Sequence, residues 1–223
     1  MLIVFSTINI YSTLLKISAE KDYAEGVQYY NSGKFYESIN SFNKAIFKQP
    51  EQAQYRYAIG IQLLMYCTEH KELTKTRKEI WLNKAREEIN NASQNYPYRL
   101  DCLSVLSLIE LERGNEEKAN LIKSEIFETD SCKTAYRLKL AKYYLENFRE
   151  SEAIQEIEFV NKYDFKNTDA LSFKAIYLKQ INKYEEAEEV CRKILEINPK
   201  NIFAASMISR LKSKSNKYIL GKY

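Results

Sequence analysis

Along most of the chain, apolar and small residues recur every three or four positions between Glu, Lys and Asn, the period of an amphipathic helix. "YEEAEEVCRKILEINP" at residues 184–199 is a clear instance. The periodic run stops at Asn198-Pro199, because proline has no N–H and clashes with the preceding turn. "IFAASMISRLKSKSNK", which follows, has apolar residues at 202, 203, 207, 208 and 211 and a Lys- and Ser-rich outer side. It reads as one more amphipathic helix. Glycine occurs only 5 times and proline 3 times. So few breakers, among many Lys, Glu, Leu, Ile and Ala, predict an all-α chain without strands.

A longer period runs beneath the helical one. Pro97 and Pro199 are 102 residues apart, three times 34. With Pro199 at the thirty-second place of a 34-residue unit, units start at Thr168, Thr134 and Leu100. Ala187, Ala153 and Ala119 then share the twentieth place, and Ala85 falls there one step earlier. Counting back from Pro50 starts a unit at Ala19, with Gly26 at the eighth place, Tyr29 at the eleventh, Phe42 at the twenty-fourth and Ala45 at the twenty-seventh. "NSGKFYES" (31–38) and "ERGNEEKA" (112–119) read as turns between paired helices, with Gly33 and Gly114 both at the fifteenth place. Glycine suits a helix C-terminus because it takes positive φ without strain.

On these residues the chain resembles the tetratricopeptide repeat family over 19–201. Ser38 departs from the pattern where alanine is usual, and Asp22 where an aromatic is. The resemblance implies a right-handed α-solenoid of helix-turn-helix repeats at 19–52, 53–99, 100–133, 134–167 and 168–201. A capping helix at 202–217 and a tail at 218–223 follow. Pro50 and Pro97 are 47 residues apart, 13 more than one repeat. "YRYAIGIQLL" (55–64) and "WLNKAREEINNASQNYP" (81–97) place the helices of repeat two, so the surplus falls around 68–80. It either lengthens both helices or forms a polar loop, the most mobile part of the array.

The first 18 residues differ from the rest. "MLIVFSTINIYSTLL" carries no charge before Lys16, and the first repeat is complete without it. It is shorter than the roughly 20 residues of a membrane span and lacks a basic leader region. Signal peptide, tilted anchor and the end of a truncated span all remain open. The expected placement is membrane-associated or exported, with cytoplasmic as the alternative. As an uncleaved anchor, Lys16 and Lys21 favour repeats on the cytoplasmic side.

No catalytic or cofactor chemistry emerges from the sequence. It has no Gly-rich phosphate loop, no HExxH and no GxSxG. Cys67, Cys102, Cys132 and Cys191 lack metal-ligand spacing and read as free thiols, mostly buried. The single histidine, His70, reads as a solvated residue of the surplus segment. The net charge of +4 is spread along the chain and implies no nucleic acid partner. The basic tail residues Lys212, Lys214, Lys217 and Lys222 read as a solvated surface.

The resemblance implies a scaffold that holds another protein or a peptide in a concave groove lined by the first helix of each repeat. The inward slots are Tyr23, Tyr30 and Asn31 in repeat one, then Tyr57, Ile61, Leu64 and Met65 in repeat two. Repeat three gives Ser104, Leu108, Leu111 and Glu112, and repeat four Leu138, Lys142, Leu145 and Glu146. Ser172, Ile176 and Lys179 complete the set. Any of these residues can instead pack between neighbouring helices. The Lys, Asn and Arg clamp of one chaperone-binding subfamily is absent, since the matching places hold Tyr23, Val27, Ala58, Asp101 and Val105. Two further readings stand beside the scaffold. One is the repeat region of a multi-span envelope-polysaccharide polymerase or ligase; the other is an intracellular assembly factor.

Overall fold

A computed structural model describes residues 2–95 and 99–220, with side chains for 10–94 and 99–211. Met1, Pro97 and residues 221–223 lie outside the described residues, as do the side chains of the basic tail. Eleven helices and no strand occur among the described residues. They are α1 (Leu2–Asn31), α2 (Phe35–Lys48), α3 (Ala53–Glu69), α4 (Lys75–Asn95), α5 (Arg99–Glu112) and α6 (Glu116–Thr129) in one compact unit. A second unit holds α7 (Thr134–Glu146), α8 (Glu150–Tyr163), α9 (Thr168–Gln180), α10 (Tyr184–Ile197) and α11 (Ile202–Leu220). Consecutive helices pair as hairpins: α1 with α2, α3 with α4, α5 with α6, α7 with α8, and α9 with α10.

Four hairpin turns share one backbone geometry. Gly33 and Gly114 take φ of 70° and 80°, and Phe148 and Asn182 take 57° and 62° at the same fifteenth place. In each turn the following N–H reaches back five residues: Lys34 to Tyr29 O at 2.9 Å, and Asn115 to Glu110 O, Arg149 to Tyr144 O and Lys183 to Leu178 O at 2.8 Å. This is a Schellman ending, which satisfies carbonyls that a helix terminus would otherwise leave unpaired. Asparagine tolerates the left-handed region, but a phenylalanine there is strained. Phe148 is 79% exposed, so its ring contributes little packing in return. Phe148→Gly is therefore expected to stabilise the protein by roughly 0.5–1 kcal/mol, the strain removed less the entropy glycine adds to the unfolded chain. A rise of about 2–3 °C in the melting midpoint checks it.

Small residues at the eighth and twentieth places set the distance between paired helices. A Cβ on Gly26 would lie 2.5 Å from the Phe42 ring, and one on Gly60 2.5 Å from Ile89. Ala85, Ala153 and Ala187 are fully buried, and Ala119 nearly so. Ser38, at the twentieth place of the first hairpin, is buried too, and its hydroxyl donates to the Gly26 carbonyl at 2.7 Å. A serine fits there because the hydroxyl finds an acceptor. Asp22, the other departure from the pattern, pairs with Lys48.

The second unit is closed by α11. Ala204, Met207 and Leu211 are buried against Leu178, Val190 and Ile194, with Phe203 and Ile208 half-buried beside them. Ile202 differs from the sequence expectation: it is 84% exposed, at the outer end of the helix. The turn before it explains the stop at Asn198-Pro199. Asn201 N–H donates to Asn198 O at 3.0 Å, and Asn201 Oδ1 then caps α11 by accepting from Ala204 N–H at 2.9 Å.

One expectation is corrected in the first unit, and one open choice is decided. The boundary after residue 18 is not a break in structure, because α1 is one helix from Leu2 to Asn31. What changes there is packing. Ile10, Tyr11, Leu14 and Ile17 are 60%, 65%, 59% and 62% exposed, and Ala19 is the first buried residue described. The surplus of repeat two is helix on both sides of a short link, which decides against a long polar loop. α3 has 17 residues and α4 has 21, and the link covers only 70–74. Thr74 Oγ1 accepts from Arg77 N–H at 3.3 Å to start α4. His70 sits in the link, with its ring 4.2 Å from that of Tyr66 and its Nδ1 2.6 Å from Glu72 Oε1.

Candidate functional site

The first helices of successive hairpins, α1, α3 and α5 in one unit and α7 and α9 in the other, carry the expected groove residues. Between α7 and α9 lies an open cleft of about 350 Å³, lined by Ala135, Leu138, Lys142, Asp169, Ser172 and Phe173, with Lys139 beside them. Its floor is apolar, and cations and a carboxylate stand at its rim. Leu138 is half-buried and Lys142 is exposed, with Lys142 Nζ 3.7 Å from Glu146 Oε1. Ser172 turns inward and donates to Thr168 O at 2.7 Å, which leaves its hydroxyl oxygen as an acceptor. Lys179 is half-buried on the same helix, while Leu145 is buried and Ile176 packs against the core of the unit.

Lys139 and Phe173 were not legible as lining residues. Both stand at the sixth place of their repeat, four residues after Ala135 and Asp169 at the second. Residues four apart lie on one helix face, so the second place pointed to the sixth as well.

In the first unit the expected residues divide. Tyr30 is exposed, and its O–H donates to Met65 Sδ at 2.7 Å, joining α1 to α3. Burial first, and then the nearby charge of Glu69, push the Tyr30 phenol up from its ordinary value. Asn31 is exposed, and Tyr57 and Ile61 are half-buried. Tyr23 is a packing residue, its ring 5.4 Å from Phe42 and 5.1 Å from Tyr55.

Leu64 and Leu111 are corrected: they are 7% and 6% exposed and belong to the core. Ser104 and Leu108 are buried as well. Glu112 is occupied by Lys78 at 2.6 Å and Lys71 at 3.7 Å. First helices pack directly on one another in both units, α3 on α5 and α7 on α9, and this covers positions that the slot scheme leaves open.

Burial pushes the Cys67 and Cys102 thiols up to about 11 and raises that of Cys191, so none is a thiolate at neutral pH. Cys132 is exposed. Among the described residues, no group of three or more His, Cys, Asp or Glu side chains could hold a metal ion. Among the same residues, no helix is long and apolar enough to cross a membrane.

Helix hairpins with small residues in register, four of the five joined by one kind of turn, form a tetratricopeptide-repeat fold. A known structure agrees in fold. A thermophilic tetratricopeptide-repeat protein of Thermus thermophilus is similar at a TM-score of 0.61 and 17% identity, over 86% of this chain and 98% of that one. A repeat protein of Parabacteroides merdae is similar at 0.48 and 16%, over 90% and 74% of the two chains. YrrB, described as a repeat protein with an unusual peptide-binding site, follows at 0.45 and 16%, over 83% and 89%. No family model matches the sequence, and no curated protein matches it.

Proposed function

We propose that this protein is a non-enzymatic scaffold that holds an extended peptide segment of another protein, with the α7–α9 cleft as its main contact. The observation that carries this reading is the cleft itself. Leu138 and Phe173 supply apolar area, and Lys139, Lys142 and Asp169 stand where they can fix a polar chain. Tyr30, Tyr57 and Met65 extend the reading to the first unit, since aromatic and Met side chains suit binding surfaces. Selection of displayed random peptides on the full chain tests it. Enriched peptides are expected to place an apolar residue beside an acidic one. Leu138→Glu is expected to weaken them at least tenfold, because it sets a charge in the apolar floor. Peptides indifferent to Leu138→Glu and Lys142→Glu would move the site elsewhere.

The start of α1 gives this scaffold a means of attachment. Its first charge is Lys16, and Ile10, Tyr11, Leu14 and Ile17 are exposed. Such a surface is unfavourable in water and favourable against an apolar phase. Membrane attachment is therefore part of the proposal, and recovery of the tagged chain wholly in the soluble fraction would remove it. A second reading, the repeat region of an envelope-polysaccharide polymerase or ligase, is favoured by the unbroken run of α1 into the first hairpin.

A further inference from the structure

At the far end of α3 and α4, away from the inward slots, lies a second cleft of about 310 Å³. Tyr36, Tyr66, Leu73, Arg77, Ile80 and Trp81 line it. Phe35 forms its back: the ring stacks on Tyr66 at 3.9 Å and meets Tyr36 at 5.2 Å and Trp81 at 6.0 Å edge-on. The rings are thus held in place before anything binds, which lowers the ordering cost of a ligand. Tyr36 and Ile80 are nonetheless 65% and 59% exposed. Leu73, Arg77 and Ile80 come from the surplus segment of repeat two, which the packing of one repeat on the next does not require.

The Tyr36 and Tyr66 hydroxyls of this cleft are hydrogen-bonded to each other, while Arg77 is exposed and Trp81 half-buried. Lys78 meets Glu112 and Glu79 meets Arg113, but no carboxylate among the described residues lies within ion-pair distance of Arg77. The Trp81 indole N–H has no acceptor among the described residues. An occupant with flat apolar surface, a free acceptor and a negative charge would complement these groups. A cation finds no carboxylate among the lining residues. Single-stranded nucleic acid needs a continuous basic groove beside its stacking rings, and Glu69, Glu72 and Glu79 interrupt this one.

We propose that this cleft binds a proline-rich segment in the polyproline II conformation that carries one carboxylate for Arg77. This site is independent of the α7–α9 cleft. Proline rings fit between aromatic rings, and a polyproline II chain forms no internal hydrogen bonds, so its carbonyls are free to accept from the indole. One turn spans three residues at about 3.1 Å each, or about 9 Å, and costs little further order on binding.

The chain has 1 tryptophan, so indole emission of the full-length protein reports on this cleft alone. It is titrated with a capped peptide of six prolines interrupted by one aspartate. Controls are the all-proline peptide, the same aspartate within Gly-Ser repeats, and oligothymidylate. A saturable change with the Pro-Asp peptide is expected, and roughly tenfold weaker binding of the all-proline peptide, the loss of a charge-assisted contact. Arg77→Gln is expected to make the two proline peptides equal, and Tyr36→Ala to abolish the response. Unchanged helical melting of both variants separates lost binding from lost folding. The proposal is overturned by no emission change at millimolar peptide, or by an equal response to the Gly-Ser control. It is equally overturned by preference for oligothymidylate, or by Arg77→Gln leaving the two proline peptides as different as before.

Discussion

Arg137→Ala is expected to destabilise the protein by about 3–5 kcal/mol, the cost of leaving a buried charge without its partner. Arg137 on α7 and Glu156 on α8 are joined at 2.6 Å, with side chains only 11% and 7% exposed. The guanidinium also donates to Ser131 O at 2.9 Å and lies 3.6 Å from the centre of the Phe159 ring. Removing it takes the guanidinium's donors from the Glu156 carboxylate in the buried space between the helices. Urea unfolding followed by helical signal measures the loss. The double change Arg137→Met with Glu156→Leu is expected to recover most of it, since both desolvation penalties then vanish. A loss under about 1 kcal/mol for Arg137→Ala would mean that the pair behaves as a surface contact.

The second large effect is expected at the twentieth place. Ala153→Leu should cost about 1–3 kcal/mol, because the added atoms have no space between α7 and α8. Ala153 is fully buried, as are Ala85 and Ala187 at the same place. The same change at Ala119 should have a similar cost. A thermal midpoint lowered by several degrees checks both, and unchanged midpoints would show that the helices can move apart freely. The contrast with Phe148→Gly is informative: one substitution fills a place that must stay small, and the other removes a side chain from a turn that has no use for it.

These examples also show what was readable from the residues. The hairpins were legible because Gly26, Gly60 and the register of alanines state a distance between helices, and distance is what the fold repeats. The lengthened α3 and α4 were not, since a polar stretch such as residues 68–80 is compatible with both an exposed helix face and a loop. The groove was legible only in part. Leu138 and Lys142 line the α7–α9 cleft, whereas Leu64 and Leu111 are buried by the packing of neighbouring helices, which a slot number does not contain. Buried charges were missed altogether. Glu88, Glu110, Arg137 and Glu156 are nearly inaccessible, although Glu and Arg in helical runs ordinarily mark a solvated side. Burial pushes the Glu110 carboxyl up, but hydrogen bonds from Asn115 and Lys118 outweigh it and hold it below its ordinary value.

The fifteenth place bears on how such a protein diverges. Its turn keeps the same backbone path with Gly, Gly, Phe and Asn in it, and the strain at the worst of the four is a small fraction of the stability of a folded chain. Drift can therefore erase the glycine that marks the turn while the turn itself survives. Letters at such positions are lost one at a time, each at an affordable cost, whereas the spacing of the helices is held by every neighbouring pair at once. Ancestry in this architecture should accordingly fade from the sequence long before it fades from the backbone.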